Sequence, residues 1–225
     1  MWETKRILSL IITSLVGINL FAININSKVL SAKEINNSTS GNLLTKDSMN
    51  NKSFNIDVVN RLPQNVIKNL YTKNYHIKLQ TNLIKICTAK VNLAQGLSDE
   101  NNKLITLAYY RENKTSNDLL IRYSNELNLL HEIAHSWDRD KLGCLKYSWN
   151  SGKDILKNIR DKESSKIFNT KNFNNCSDNY LTYFRNYSEE YYAECFALYF
   201  FNTQSKELLR ANAPLTYKYI ENTLK

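Results

Sequence analysis

Glycine and proline are scarce in this chain, at five and two among 225 residues. That excludes collagen-like and low-complexity architectures and leaves few breakers inside regular elements. Cysteine is no richer: there are four, Cys87, Cys144, Cys176 and Cys195, with no CxxC or CxxxC pair among them. The cysteines are therefore poor metal-ligand candidates. An even count permits two disulfides in any of three pairings. A domain of this size folds without bridges, so free, partly buried thiols are the expectation. No long run of one charge sign exists either. The nearest approach, Lys153, Lys157, Arg160, Lys162 and Lys166, is interleaved with Asp154, Asp161 and Glu163. At helical spacing that reads as a solvated face with i,i+4 pairs, so a net charge of +9 does not by itself imply a nucleic-acid partner, and none is expected. Histidine is rarest of the catalytic residue types, at three, and that rarity makes its placement informative.

What is present is globular in character, with 42% hydrophobic and 23% charged residues. The length suits a single domain with a real core. At the N-terminus, Lys5 and Arg6 precede an apolar stretch from Ile7 to Ile23, and Leu30-Ser31-Ala32 offers a small-residue exit. This reads as a signal peptide over residues 1–32, with an uncleaved membrane anchor as the alternative. No later stretch is apolar enough to span a bilayer. Residues 33–53, rich in Asn, Ser and Lys, read as a flexible leader, and the domain is expected over 54–225. The protein is thus expected to be secreted, a monomer, and in contact with a membrane only through its signal or anchor.

Periodicity predicts an α+β domain: a small sheet packed on a mainly helical body. Asp57 to Lys73 reads as helical, with Val58, Val59, Leu62, Val66 and Leu70 as its stripe and Pro63 as a kink or split. His76–Gln80 alternates as a short strand, Lys103–Arg111 is the best strand, Glu112–Asp118 a turn and Leu119–Tyr123 a returning strand. Ser124 or Asn125 can cap a helix whose apolar stripe is Leu127, Leu130, Ala134 and Trp137. A second helix is expected within Lys153–Phe168, then a Tyr- and Asn-rich connection, a helix over Ser188–Phe201, and two short helices within Ser205–Leu224 broken at Pro214.

The chemistry concentrates in His131-Glu132-Ile133-Ala134-His135. Histidines four apart on a helix share a face and can ligate one ion, and Zn²⁺ suits imidazole nitrogen. Glu132 is placed beside the first ligand, where it can take a proton from water as a general base. Chance places an HExxH in roughly two of a thousand chains with this histidine content. A third ligand is needed, and the extended pattern is absent: Asp138 and Lys141 stand where Gly and His would be required. The remaining histidine, His76, lies in an early strand, which leaves a carboxylate. In the apolar segment Ser188–Ala197, Glu190 and Glu194 are i,i+4 and would be tolerated if a cation or donor meets them. Glu190 as ligand and Glu194 as acceptor for a ligand histidine satisfy both; acids stabilising a helix N-terminus are the bland alternative.

These segments together resemble the catalytic domain of anthrax toxin lethal factor and its smaller secreted relatives, the Pro-Pro endopeptidases. LLHEIAHSWD and EEYYAECFALYFFN anchor the likeness, which extends through the tail ANAPLTYKYIENTLK and covers Asn125 to the end. The resemblance implies a zinc metallopeptidase with His131, His135 and Glu190 as ligands and Glu132 as general base. It also implies Tyr183, seven residues before Glu190, as the phenol that stabilises the oxyanion, with Tyr187 as the local competitor. Gln95 to Asp118 holds one glycine, Gly96, and no tryptophan, unlike the Pro-Pro endopeptidases, so the resemblance leaves the scissile bond open. The function expected is hydrolysis of peptide bonds in a protein or peptide substrate lying extended along the sheet edge, beside Lys103–Arg111. The competing readings are a binding protein on a degenerate peptidase scaffold and a toxin-like effector.

Overall fold

The structure, a computed structural model, describes residue 43 and residues 56–80, 84–85, 93–94, 96–108, 125–140, 154–174 and 176–225. The expected signal peptide, the leader apart from Leu43, the turn Glu112–Asp118 and the strand Leu119–Tyr123 lie outside the described residues, as do Cys87 and Cys144. Among the described residues no helix is long and apolar enough to cross a membrane. The fold is α+β, as the periodicity predicts: the described residues include seven α-helices and a small three-stranded sheet.

The first helical stretch is split at Pro63, into a 3-10 helix, Ile56–Arg61, and α1, Gln64–Thr72. The proline sits just before the first turn of α1, where its missing N–H costs nothing and its carbonyl accepts from Val66 and Ile67. The stripe Val58, Val59, Leu62, Val66 and Leu70 is buried throughout. Five strands follow: β1 (His76–Gln80), β2 (Ile84–Lys85), β3 (Leu93–Ala94), β4 (Gly96–Asp99) and β5 (Leu104–Ala108). β2 and β3 pair with each other, whereas the main sheet runs β1-β5-β4, with β1 parallel and β4 antiparallel to β5. Leu43 is buried, and its carbonyl accepts from Ile77 of β1.

The sheet departs from the sequence reading in two ways. β4 was not expected, because a four-residue segment containing Gly96 shows no convincing alternation; its pairing with β5 creates it. An Asx turn closes that hairpin, with Asp99 Oδ1 accepting from the backbone N–H groups of Asn101 and Asn102. The consequence is that β5, the strand expected to receive substrate, is central and has partners on both sides. Among the described strands of the main sheet, β1 and β4 are the outer ones.

Behind the sheet lies α2, Asn125–Asp140, and across it α5, Ser188–Phe201, whose bounds match the sequence reading. Every residue of α2 from Leu127 to Asp138 is buried, so the expected stripe is only one side of a helix enclosed all round. α5 is similarly enclosed, as its apolar circumference requires. α3 (Asp154–Ile167) follows the sequence reading, and α6 (Thr203–Asn212) and α7 (Pro214–Thr223) are separated at Pro214 as expected. The Tyr- and Asn-rich connection contains a further helix, α4, Asp178–Asn186. Its Asp, Asn, Thr and Tyr residues are mediocre helix formers. Leu181 and Phe184 are nonetheless buried, and the Phe184 ring meets Phe168 at 5.2 Å and Tyr180 at 4.9 Å. Tertiary packing, not propensity, makes this helix. The two described cysteines, Cys176 and Cys195, are buried thiols.

One buried acid holds the C-terminal helix. Glu163 of α3 accepts from the N–H groups of Leu215 and Thr216, both at 2.9 Å, and from Thr216 Oγ1 at 2.8 Å, while Tyr191 of α5 bonds Thr216 Oγ1 at 2.6 Å. A carboxylate thus caps the start of α7 from another helix. Glu163→Ala is expected to cost about 2–3 kcal/mol of stability, because it strands these donors away from water. Urea unfolding measures it, and a loss under about 0.5 kcal/mol would show that the cap is dispensable.

Candidate metal centre between α2 and α5

His131 and His135 stand one turn apart on α2, fully enclosed, with ring centroids 4.8 Å apart and planes at 71°. Glu190 and Glu194 stand one turn apart on α5, facing them. Glu194 Oε2 lies 2.9 Å from His131 Nδ1. An ionised carboxylate only accepts, so Nδ1 carries a hydrogen and the other nitrogen, Nε2, is left to bind something else. That Nε2 lies 3.0 Å from His135 Nε2 and 3.2 Å from Glu190 Oε2, and His135 Nε2 is 3.6 Å from the same oxygen.

Three electron-rich atoms thus converge in a site without solvent. A proton can bridge one pair of them; only a cation serves all three. Three ligands on a tetrahedral ion at about 2.0–2.1 Å are separated from each other by about 3.3 Å, and the observed separations bracket that value. His131, His135 and Glu190 form a group able to hold a metal ion. Neither described cysteine belongs to it, and His76 is exposed on β1.

The electrostatics fit the same reading. Burial pushes the His131 imidazolium down, but hydrogen bonds to Glu190 and Glu194 outweigh it and hold the pKa up at about 10. Burial dominates at His135 and lowers it to about 4. Without an ion, His131 is therefore the proton carrier that an ion must displace. Burial works against the charged form of Glu190 as well, but the facing histidines hold it down at about 2, so it remains a carboxylate.

Glu132 is wholly buried between these ligands and β4. Tyr183 enters from α4. Its phenol is raised well above the ordinary value, first by burial, then by the charge and hydrogen bond of Glu190, and further by Glu189 and Glu132. It is therefore a proton donor at the site. Tyr187 is half exposed, and its ring lies 5.1 Å from that of Tyr183. Tyr183, and not the half-exposed Tyr187, is therefore the buried phenol whose titration responds to Glu190. All six residues singled out in the sequence, His131, Glu132, His135, Tyr183, Glu190 and Glu194, meet here.

Two supporting residues escaped the sequence reading. Phe184 meets the His131 ring edge-on at 6.2 Å. Arg160, read as part of a solvated face, holds the elbow between α4 and α5: its Nη1 donates to Asn186 O at 3.0 Å and to Ser188 Oγ at 2.8 Å, and Asp161 orients it. That elbow lies between Tyr183 and Glu190 in the chain. Only its position next to Asp161 was visible in the sequence, and that pattern also describes an ordinary surface pair.

Two outcomes follow for metal binding. Glu194→Gln should weaken binding of Zn²⁺ about 10- to 100-fold, measured by competition with a chelator; wild-type affinity would show that Glu194 does not orient His131. Binding near neutral pH should release about one proton from His131, measured by calorimetry in buffers of different protonation enthalpy. Affinity should accordingly climb with pH up to about 10. Uptake without proton release would contradict the assigned protonation.

A family model described as anthrax toxin lethal factor, N- and C-terminal domain, matches residues 24–223. A solved Pro-Pro endopeptidase from Paenibacillus alvei aligns at 24% identity and a TM-score of 0.48, covering 74% of this chain and 85% of that one. No curated protein sequence matches. With the family match extending over nearly the whole chain, the protein belongs to the anthrax toxin lethal factor family.

Proposed function

We propose that this protein is a zinc-dependent endopeptidase that is exported and cleaves an extracellular or surface protein. The observation that carries the proposal is the convergence of two imidazoles and a carboxylate in a buried site, with two further carboxylates, Glu132 and Glu194, and one protonated phenol beside them. Two nitrogens and one oxygen leave a fourth tetrahedral position open, the pattern of catalytic rather than structural zinc. When bound, zinc would acidify a water and polarise the scissile carbonyl.

The chain's own residues supply the rest. His131, His135 and Glu190 would hold the ion, and Glu194 fixes the tautomer of His131. The Glu132 carboxylate takes the proton from the attacking water and passes it to the leaving amine nitrogen. Tyr183, kept protonated by burial, would offer its phenol hydrogen to the developing oxyanion. β4 lies directly against Glu132 and is an outer strand among the described strands, so it replaces β5 as the strand beside which an extended substrate would add. Export rests on Lys5, Arg6 and the apolar stretch Ile7–Ile23.

The test is cleavage of a diverse peptide library by the zinc-loaded domain, beside a chelator-treated sample. Chelator-sensitive cuts sharing a motif support the proposal and define the bond. No cut from zinc-loaded protein would favour the alternative of a peptide-binding scaffold. Glu132→Ala should lower turnover by about 10³-fold or more while zinc is retained. Tyr183→Phe should lower kcat about 10²- to 10³-fold with KM little changed, whereas Tyr187→Phe stays within about twofold of wild type. Equal losses at the two tyrosines would contradict the assignment of Tyr183.

A further inference from the structure

Gly96 sits in a strand, where glycine is normally a weakness: it adds no packing and raises the entropy cost of ordering. Its backbone does not have the positive φ that would demand glycine. What it does have is a neighbour. A methyl group at position 96 would lie 2.8 Å from Cγ and 2.9 Å from Cδ of Glu132, and closer still to Oε1. Carbon atoms pack at about 3.5–4.0 Å, so a side chain here and Glu132 in its present place are mutually exclusive. The conflict includes Cγ and Cδ, so it is not relieved by swinging the carboxylate tip. Glu132 is itself wholly buried, on a helix whose next residues toward α5 are the histidines.

The approach is held by a second contact in the same register. Ser98, two residues on and on the same buried face of β4, meets Ser136 Oγ at 2.9 Å, and Ser136 is one turn beyond Glu132 on α2. Ser136 Oγ in turn donates to Glu132 O at 3.3 Å. Two small residues of β4 therefore match two positions of α2: Gly96 over Glu132, and Ser98 over Ser136. The hydroxyl pair ties strand to helix, and the missing side chain at 96 makes the seat into which the glutamate fits.

We propose that Gly96 is a positioning residue for the proposed general base, its bare backbone forming the wall that holds the Glu132 side chain in line with the metal ligands, with the Ser98–Ser136 pair setting how closely that wall approaches. The inference rests on the peptidase reading for its catalytic consequence but not for its structural one. The role differs from that of a turn or bulge glycine, since the constraint is on the space above the residue and not on its own dihedrals.

The experiment is a double-mutant cycle between Gly96→Ala and Glu132→Ala on the full chain, read by thermal midpoint. Gly96→Ala alone should lower the midpoint by about 4–8 °C. In the Glu132→Ala background the added methyl enters space the glutamate has left, so the same change should be neutral or raise the midpoint. An equal drop in both backgrounds, or no drop in either, overturns the proposal. If Gly96→Ala alone does not fold, the double variant should still fold; failure of both would place the need for glycine in the strand itself. Where the library identifies a peptide substrate, Gly96→Ala should also lower kcat about 10²-fold with KM changed far less. Loss in KM alone would contradict positioning of the base. Because the thermal cycle needs no substrate, it separates failure of this inference from failure of the peptidase reading.

Discussion

A single hydrogen bond, from His131 Nδ1 to Glu194, decides which way the ligand atoms of this protein face. By fixing the hydrogen on Nδ1 it commits Nε2 to the space shared with His135 and Glu190. The three atoms there repel one another in the absence of a cation, and burial removes the water that would otherwise soften the repulsion. The arrangement is tolerable because something positive is meant to stand between them: a proton on His131 when no ion is bound, a metal ion when one is. The α2–α5 interface is built around that requirement.

The rest of the fold serves to keep α2 and α5 at this distance and rotation. The sheet closes one side of α2 through β4, with the Ser98–Ser136 pair as its tie. α3 acts on the other side at two points. Arg160 secures the elbow that leads into α5, and Glu163 caps α7 while its partner Thr216 meets Tyr191 of α5. α4 brings Tyr183 to Glu190 and Phe184 to His131 from the elbow's other arm. Each contact is modest, and their joint effect is to hold the two helices that carry His131, Glu132, His135, Glu190 and Glu194, all buried.

The parts legible in the sequence were those that depend on local periodicity. The i,i+4 histidines, the i,i+4 glutamates in an apolar helix, the split at Pro63 and the break at Pro214 are all written in short-range spacing, and the bounds of β1 and α5 followed from it. What was not legible depends on partners distant in the chain. α4 is a helix because Leu181 and Phe184 find a core to enter, against the preference of its Asp, Asn and Thr residues. β5 is central because β1 and β4 both pair with it, which no alternation pattern within Leu104–Ala108 could reveal. Gly96 stands out in the sequence only as the one glycine of Gln95–Asp118; its meaning appears only once Glu132 is seen lying on it. Arg160 was indistinguishable from its exposed neighbours until the carbonyl of Asn186 was placed beside it.

The most direct test of the central claim is the metal's own coordination shell. Protein purified without added metal should be assayed for metal content and then examined by X-ray absorption, with His131→Ala as the control. The account predicts about one equivalent of zinc with imidazole and oxygen ligands at about 2.0–2.1 Å, no sulfur, and loss of the signal in the variant. Failure to take up zinc, or a thiolate in the shell, would contradict it.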